Sequence, residues 1–258
     1  MEQLAQARIV AWRNGSLWLL DTAKRNAGGA PRTGSHAHHA IQIVISLGGT
    51  FQLWMGGEEL SAPYAAVAPD APHSFDAHGA YAILFVEPES PAGRAIIAAT
   101  FAEGDLRALP SARFAGLSAQ LDALGRSLPP AAAELTRIGQ ELTEGLAGGA
   151  GLEAPIDARI QAVVGWVAKD HDQPLSLDMA AAIAGLSPSR LSHLFVEQTG
   201  LSFKTYLLWT RLTRAVGLMS EGLSLTEIAH EAGFAASAHF SRTFRRMFGI
   251  APANLKLV

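Results

Sequence analysis

Apolar residues run in short bursts between residues 8 and 87. The bursts are Ile9–Trp12, Leu17–Leu20, Ile41–Leu47, Phe51–Met55, Tyr64–Ala68 and Ala80–Val86. Between them stand turn formers: Gly48-Gly49, Gly56-Gly57, Pro69-Asp70 and His78-Gly79. Short β-branched runs at this spacing predict strands, closed into a small barrel or stacked as a sandwich. From residue 92 to 148 the period becomes helical. Leu117, Leu121, Leu124 and Leu128 make one stripe, Pro129-Pro130 breaks it, and Leu135, Ile138, Leu142 and Leu146 make another. Such stripes serve either as core-facing helices of one chain or as an antiparallel pair that meets a second subunit.

Residues 145–152, GLAGGAGL, are glycine-rich and predict a flexible tether centred on 149–154. Beyond it Pro155 suits the first turn of a helix, and the remaining chain reads as helix after helix. Within 175–200, Ser176 can cap a helix and the alanine-rich face of Ala180, Ala181 and Ala184 lets a second helix pack closely. Gly185 allows a tight turn, and Ser187-Pro188 opens a second helix that buries Leu191, Leu194 and Phe195. Ser189, Arg190, Ser192 and His193 then fall on the outward face. This is the helix-turn-helix pattern. The grammar repeats at 224–249. Ser224 and Glu227 form a capping box, Gly233 turns the chain, and Phe240, Phe244 and Phe248 form a stripe. Ser237, His239, Ser241, Arg242, Arg245 and Arg246 lie off that stripe. Phe203–Met219 joins the two units as one helix of roughly 25 Å, able to hold two recognition helices about one DNA turn, roughly 34 Å, apart.

Composition narrows the class. With 49% apolar and 17% charged residues among 258, the chain is globular and long enough for two cores. There are no cysteines, so neither disulfides nor thiolate metal sites arise. The opening MEQLAQARIVAWRNG lacks the build of a signal peptide, and no apolar run spans a membrane, so a bacterial cytoplasmic protein is expected. The net charge of −3 argues against nucleic acid until it is divided. Residues 155–258 hold 10 Lys/Arg against 8 Asp/Glu, whereas 1–154 hold 10 against 15. The basic surplus, though small, sits on the helical end.

The segments LSPSRLSHLFVEQTGLSFKTYL, RLTRAVGLM and LTEIAHEAGFAASAHFSRTFRRMFGIAPANLK resemble the AraC/XylS family of transcription regulators over about 100 residues. The resemblance implies a seven-helix DNA-binding domain, here 155–258, with recognition helices in successive major grooves of duplex DNA. It carries DNA contacts to Ser189, Ser192 and His193 in the first unit and to Ser237, His239 and Arg242 in the second. Arg242 can pair with two acceptors on guanine. Arg190, Arg245, Arg246, Lys204 and Arg211 complete the expected contact set, the last four as phosphate contacts. The family often has Gln at the position of Ser237 and an aromatic-Arg pair at Leu255-Lys256. It also implies a homodimer, an effector-binding N-terminal domain and, for an activator, contact with RNA polymerase.

His36-Ala-His38-His39-Ala-Ile-Gln42, followed by Pro69-Asp-Ala-Pro72-His73, resembles the two cupin motifs, with Gln42 where cupin enzymes usually carry Glu. His36, His38 and Gln42 share a strand face by alternation, and the proline-rich turn would bring His73 to it. Such a set suits nickel, cobalt, zinc or copper held by His36, His38 and His73 with Gln42 as fourth ligand. Ordinary imidazoles would lose such a metal below about pH 6. Two other readings remain open: an organic effector lined by these histidines, or a structural role. His39 and His78 read as surface residues. The expected architecture is α+β in two domains. A cupin-like β-barrel sensor spans 1–91, with a helical dimerisation segment at 92–148. A linker at 149–154 leads to the all-α tandem helix-turn-helix domain. A ligand- or metal-responsive regulator, not an enzyme, is the leading reading; a cupin metalloenzyme with an appended DNA-binding domain is the alternative.

Overall fold

In a computed structural model, residues 5–22, 32–114, 116–126, 132–148, 156–169 and 175–257 are described. The expected linker 149–154, Pro155 and the Leu128–Pro130 break lie outside them. The strands are β1 (Ala5–Trp12), β2 (Gly15–Asp21), β3 (Ile41–Ser46), β4 (Thr50–Met55), β5 (Glu58–Leu60), β6 (Tyr64–Val67), β7 (Ser74–His78), β8 (Ala80–Val86), β9 (Leu106–Ala108) and β10 (Leu255–Leu257). The helices are α1 (Pro91–Thr100), α2 (Leu117–Arg126), α3 (Ala132–Ala147), α4 (Ala158–Val167), α5 (Leu177–Ala184), α6 (Pro188–Thr199), α7 (Phe203–Leu218), α8 (Leu225–Glu231) and α9 (Ser237–Phe248).

Seven strands form one sheet in the order β10-β1-β2-β8-β3-β6-β9, and three form another, β5-β4-β7. Among the described residues the ladders do not close into a barrel, which corrects that part of the expectation. The large sheet is buried on both faces, so its strands read as nearly continuous apolar runs. On the inner face Ile9, Trp18, Val44, Val67, Ile83 and Phe85 meet Phe51, Leu53 and Phe75 of the small sheet. On the outer face Leu17, Leu19, Ile41, Ile43, Ile45 and Leu84 meet α1, α2 and α3. There Leu121, Leu135, Ile138, Leu142 and Leu146 are buried and Leu117 and Leu124 half-buried, so the described residues of both leucine stripes pack on the chain's own sheet. The segment 92–148 is not wholly helical, because β9 pairs with β6 at the sheet edge.

The C-terminal helices form where their caps stand. Ser176, Ser187 and Ser224 each accept a backbone N–H, and Ser224 with Glu227 completes the capping box. Asp157 caps α4. Gly185 and Gly233 turn the chain at φ 62° and 78°, a region that costs other residues strain. The expectation of helix to the very end fails at Leu255–Leu257. These residues run parallel to β1, with Ala5 opposite Leu255 and Ala7 opposite Leu257. The second helix-turn-helix unit does not stand apart from the sheets. Phe240, Phe244 and Phe248 join the same core as Trp18 and Phe85.

Candidate nucleic-acid face and metal centre

α6 and α9 turn their apolar stripes inward and their polar residues out, because four residues make roughly one turn. On α6, Ser189, Arg190 and His193 are exposed and Ser192 is half-buried. On α9, Arg242, Arg245 and Arg246 are exposed and Ser237 and His239 half-buried, His239 lying edge-on to Phe234. Lys204 is exposed near the start of α7. Arg211 is half-buried, and a side chain at Gly233 would lie 3.6 Å from its Nε. It faces a groove of about 1340 Å³ between the sheets and the C-terminal helices.

The predicted histidine cluster assembles, but from less regular backbone than two long strands. His36 and His73 face each other across a single antiparallel bridge, with N–H to O distances of 2.9 Å both ways. The Pro69-Asp70 turn is fixed by Asp70 at φ 59° and by its N–H donating to His38 O at 2.8 Å. One ring nitrogen from each of His36, His38 and His73 lies within 4.8 Å of the others. The rings are buried, with His38 2% and His73 1% exposed. Each Nδ1 has a backbone carbonyl at hydrogen-bond distance: Gly34 O at 2.9 Å, Ala40 O at 3.0 Å and Ala71 O at 2.9 Å. A carbonyl can only accept, so the proton sits on Nδ1 and the Nε2 lone pairs stay free. Metal-binding histidines are oriented in this way. His73 Nε2 has no hydrogen-bond partner among the described residues. Gln42 Oε1 lies 3.0 Å from His38 Nε2, leaving two lone pairs facing one another unless the amide is turned or a cation lies between them. The buried donor set therefore fits a divalent transition metal.

Burial holds these imidazoles neutral. Desolvation, with the neighbouring His36, lowers His38 to about 4. Desolvation, with His38 and His36, lowers His73 to about 3. His36 is also lowered, chiefly by burial. His38 and His73 thus stay unprotonated well below the pH 6 limit expected of ordinary imidazoles, and His36 is shifted in the same direction.

His39 is not a surface residue. It is 4% exposed, with Nδ1 2.6 Å from Asp70 Oδ2 and Nε2 2.5 Å from Glu89 Oε1. Burial alone would lower its pKa, but hydrogen bonds to the two carboxylates outweigh that and raise it to about 10. The rings of Tyr206 and Trp209 on α7 stand edge-on to it. Trp209 Nε1 donates to Glu87 Oε2 at 2.8 Å. Desolvation and the Glu89 charge push Glu87 up to about 7. The charged network therefore sits where α7 meets the sheets. Nothing in the periodicity marks Glu87 and Glu89 as partners of a tryptophan more than a hundred residues away. His78 is on the surface, as expected, with 58% of its side chain exposed.

Comparison with known proteins matches residues 180–256 to a family model described as a helix-turn-helix domain. The HTH-type transcriptional regulator YpdC of Escherichia coli K12 is 33% identical over 99 residues, 38% of this chain and 35% of that protein. The HTH-type transcriptional regulator GlxA of Rhizobium meliloti is 38% identical over 86 residues, 33% of this chain and 26% of GlxA. The chain thus spans about a third or less of these curated relatives. Across the whole chain the fold is similar to that of ToxT from Vibrio cholerae O395. There the TM-score is 0.55 at 12% identity, covering 98% of this chain and 96% of ToxT. A second crystal form of ToxT gives 0.57 at 13% identity, covering 93% and 97%. At such identity the likeness establishes the fold alone. The capped helices, the repeated glycine turns and the match over residues 180–256 together identify an AraC-type helix-turn-helix domain at the C-terminal end of this chain.

Proposed function

We propose that the chain is a DNA-binding transcription regulator whose N-terminal domain takes up a divalent transition metal. The observation that supports the metal is the cluster of three buried imidazoles with their Nδ1 protons spent on backbone carbonyls. Nickel, cobalt, zinc or copper suits such donors, with His36, His38 and His73 as ligands and Gln42 as fourth. The two facing sheets that bring the histidine motifs together support a cupin-like origin. The cavity beside the cluster is about 60 Å³, far below the ~300–1,000 Å³ of pockets that enclose organic ligands. That size favours an ion over an organic effector at this place.

Ser189, Arg190, Ser192, His193, Lys204, Arg211, Ser237, His239, Arg242, Arg245 and Arg246 form the proposed DNA face. Its outward basic residues and the naming of the relatives as regulators favour regulation over catalysis. An activator would also engage RNA polymerase. A homodimer through 117–146 would have to use the outward faces of α2 and α3. Organic-effector binding in the large interdomain groove is a second reading, since one ToxT crystal structure holds an unsaturated fatty acid.

Two measurements test this. Calorimetric titration of metal-free protein with nickel, zinc and cobalt should show one tight site that His73→Ala abolishes; no heat from any of the three removes the metal reading. Duplexes selected from a random library by the full chain should bind with steep salt dependence. Arg242→Ala should cost ~1–3 kcal/mol and relax preference at one base pair, whereas Arg246→Ala should weaken all sequences alike. Unchanged preference in Arg242→Ala would show that this face does not read bases.

A further inference from the structure

The three-histidine pocket is covered from outside by the other domain. Phe248 ends α9 with its ring centroid 6.0 Å from that of His38 and 5.4 Å from that of Phe85. Gly249 follows at φ 74°, and a Cβ there would lie 2.7 Å from His36 Nδ1 and 2.8 Å from Thr33 Cβ. The backbone of the DNA-binding domain therefore rests directly on an expected metal ligand. Phe248 and Ile250 wall the small cavity that borders His36 and Gln42. A tight turn at Pro252–Asn254 then leads into β10, which is hydrogen-bonded to β1.

We propose that Phe248–Leu257 is a lid shared by the metal pocket and the second helix-turn-helix unit, so that loading the pocket loosens the seat of that unit. The inference rests on the metal reading of the histidine cluster. His36, His38 and His73 are 8%, 2% and 1% exposed, so a hydrated ion reaches them only when something covering them moves. Tetrahedral coordination at about 2.0–2.1 Å sets ligand nitrogens roughly 3.4 Å apart, whereas the three ring nitrogens here are bounded only at 4.8 Å, so a bound ion would fix their spacing. Gly249 lies on the Nδ1 side of His36, so close that a Cβ there would stand 2.7 Å from Nδ1, and Nε2 is left for the pocket. Drawing Nε2 inward takes Nδ1 away from Gly249 and relieves the contact that holds the lid. The same segment ends the helix carrying Arg242, Arg245 and Arg246. Metal and DNA are thereby linked through one element with two positions, and linkage requires each to alter the other's affinity.

Amide hydrogen exchange on the full chain, with and without nickel, tests the lid. Calorimetry on the same sample reports whether nickel is bound. Bound nickel should speed exchange across 250–257 by about fivefold or more, a ratio typical of coupled sites, with α6 unchanged. Nickel bound with exchange there unchanged or slowed overturns the lid and leaves the metal site standing. No bound nickel overturns both. In a second arm, Leu257→Glu, checked for native circular dichroism, should speed nickel uptake in stopped flow; an unchanged uptake rate also overturns the lid.

Discussion

Three imidazoles in one buried pocket carry a cost in acid. In the unfolded chain each titrates near 6.5, whereas in the fold His38 titrates near 4 and His73 near 3, with His36 also lowered. Between those values the unfolded chain binds protons that the folded chain refuses, so stability is present above pH 6.5 and lost as pH falls. Glu87 acts in the opposite sense. Its raised value of about 7 keeps a proton on the folded chain that the unfolded chain releases above about 4.5. His39, raised to about 10, is protonated in both states below 6.5 and is silent in this window; its stabilisation is fully present there and is lost progressively as pH rises from 6.5 to 10. Near pH 5.5 the metal-free protein should therefore take up about one to two protons on unfolding, which is ~1.4–2.7 kcal/mol per pH unit. Denaturant melts of the metal-free chain at pH 5, 6 and 7 measure the slope. Glu87→Gln should steepen it by about one proton, and a slope of zero or opposite sign in both proteins would refute the burial argument.

Secondary elements differ in how much of themselves a pattern shows. Strands β1, β2, β3, β4, β6 and β8 are long enough for apolar runs to stand out. β5 is Glu-Glu-Leu, β7 mixes Ser, Asp and His with two apolar residues, and β9 and β10 have three residues each. Three residues carry no period, and these strands exist because an edge with unpaired backbone groups was there to be met. The leucine stripes of α2 and α3 teach the complementary lesson. Their period states that one face is covered, and either a sheet or a second subunit would satisfy it. Because Leu121 is fully buried against the outer face of the large sheet, Leu121→Ala should cost about 2–5 kcal/mol without changing the assembly state. Denaturant melts and sedimentation of the same variant decide the point. A variant of wild-type stability that loses an oligomer would move the stripe to an interface.

At the scale of the molecule, the sensor sheets and the helical domain share one core and one polar junction. Trp209 Nε1 is the donor that crosses it to the buried Glu87 carboxylate. Trp209→Phe keeps a ring in place but removes that donor, leaving Glu87 poorly solvated at a cost of about 1–3 kcal/mol. We expect a lower melting temperature and a broader calorimetric transition as the two domains unfold less together. Wild-type stability in this variant would mean that the junction is held by apolar contact alone.

By itself the amino-acid order determined the tandem helix-turn-helix units, since caps, turn glycines and apolar stripes act within a few residues of one another. Ser176, Ser187, Ser224, Gly185 and Gly233 all stand where their local chemistry places them. It also singled out the three histidines and Gln42 by their spacing, although the expected single strand is absent: His36 sits on an isolated bridge and His38 precedes β3, which carries Gln42. Only the tertiary structure decided what each buried face met. The Phe240, Phe244 and Phe248 stripe could have closed on its own domain, yet it extends into the sheet core beside Trp18 and Phe85. His39 was drawn inside by Asp70 and Glu89, which lie 31 and 50 residues away. Hydrophobic burial has no direction, and an ion pair depends on distance in space, so neither leaves a mark in the order of residues that identifies its partner.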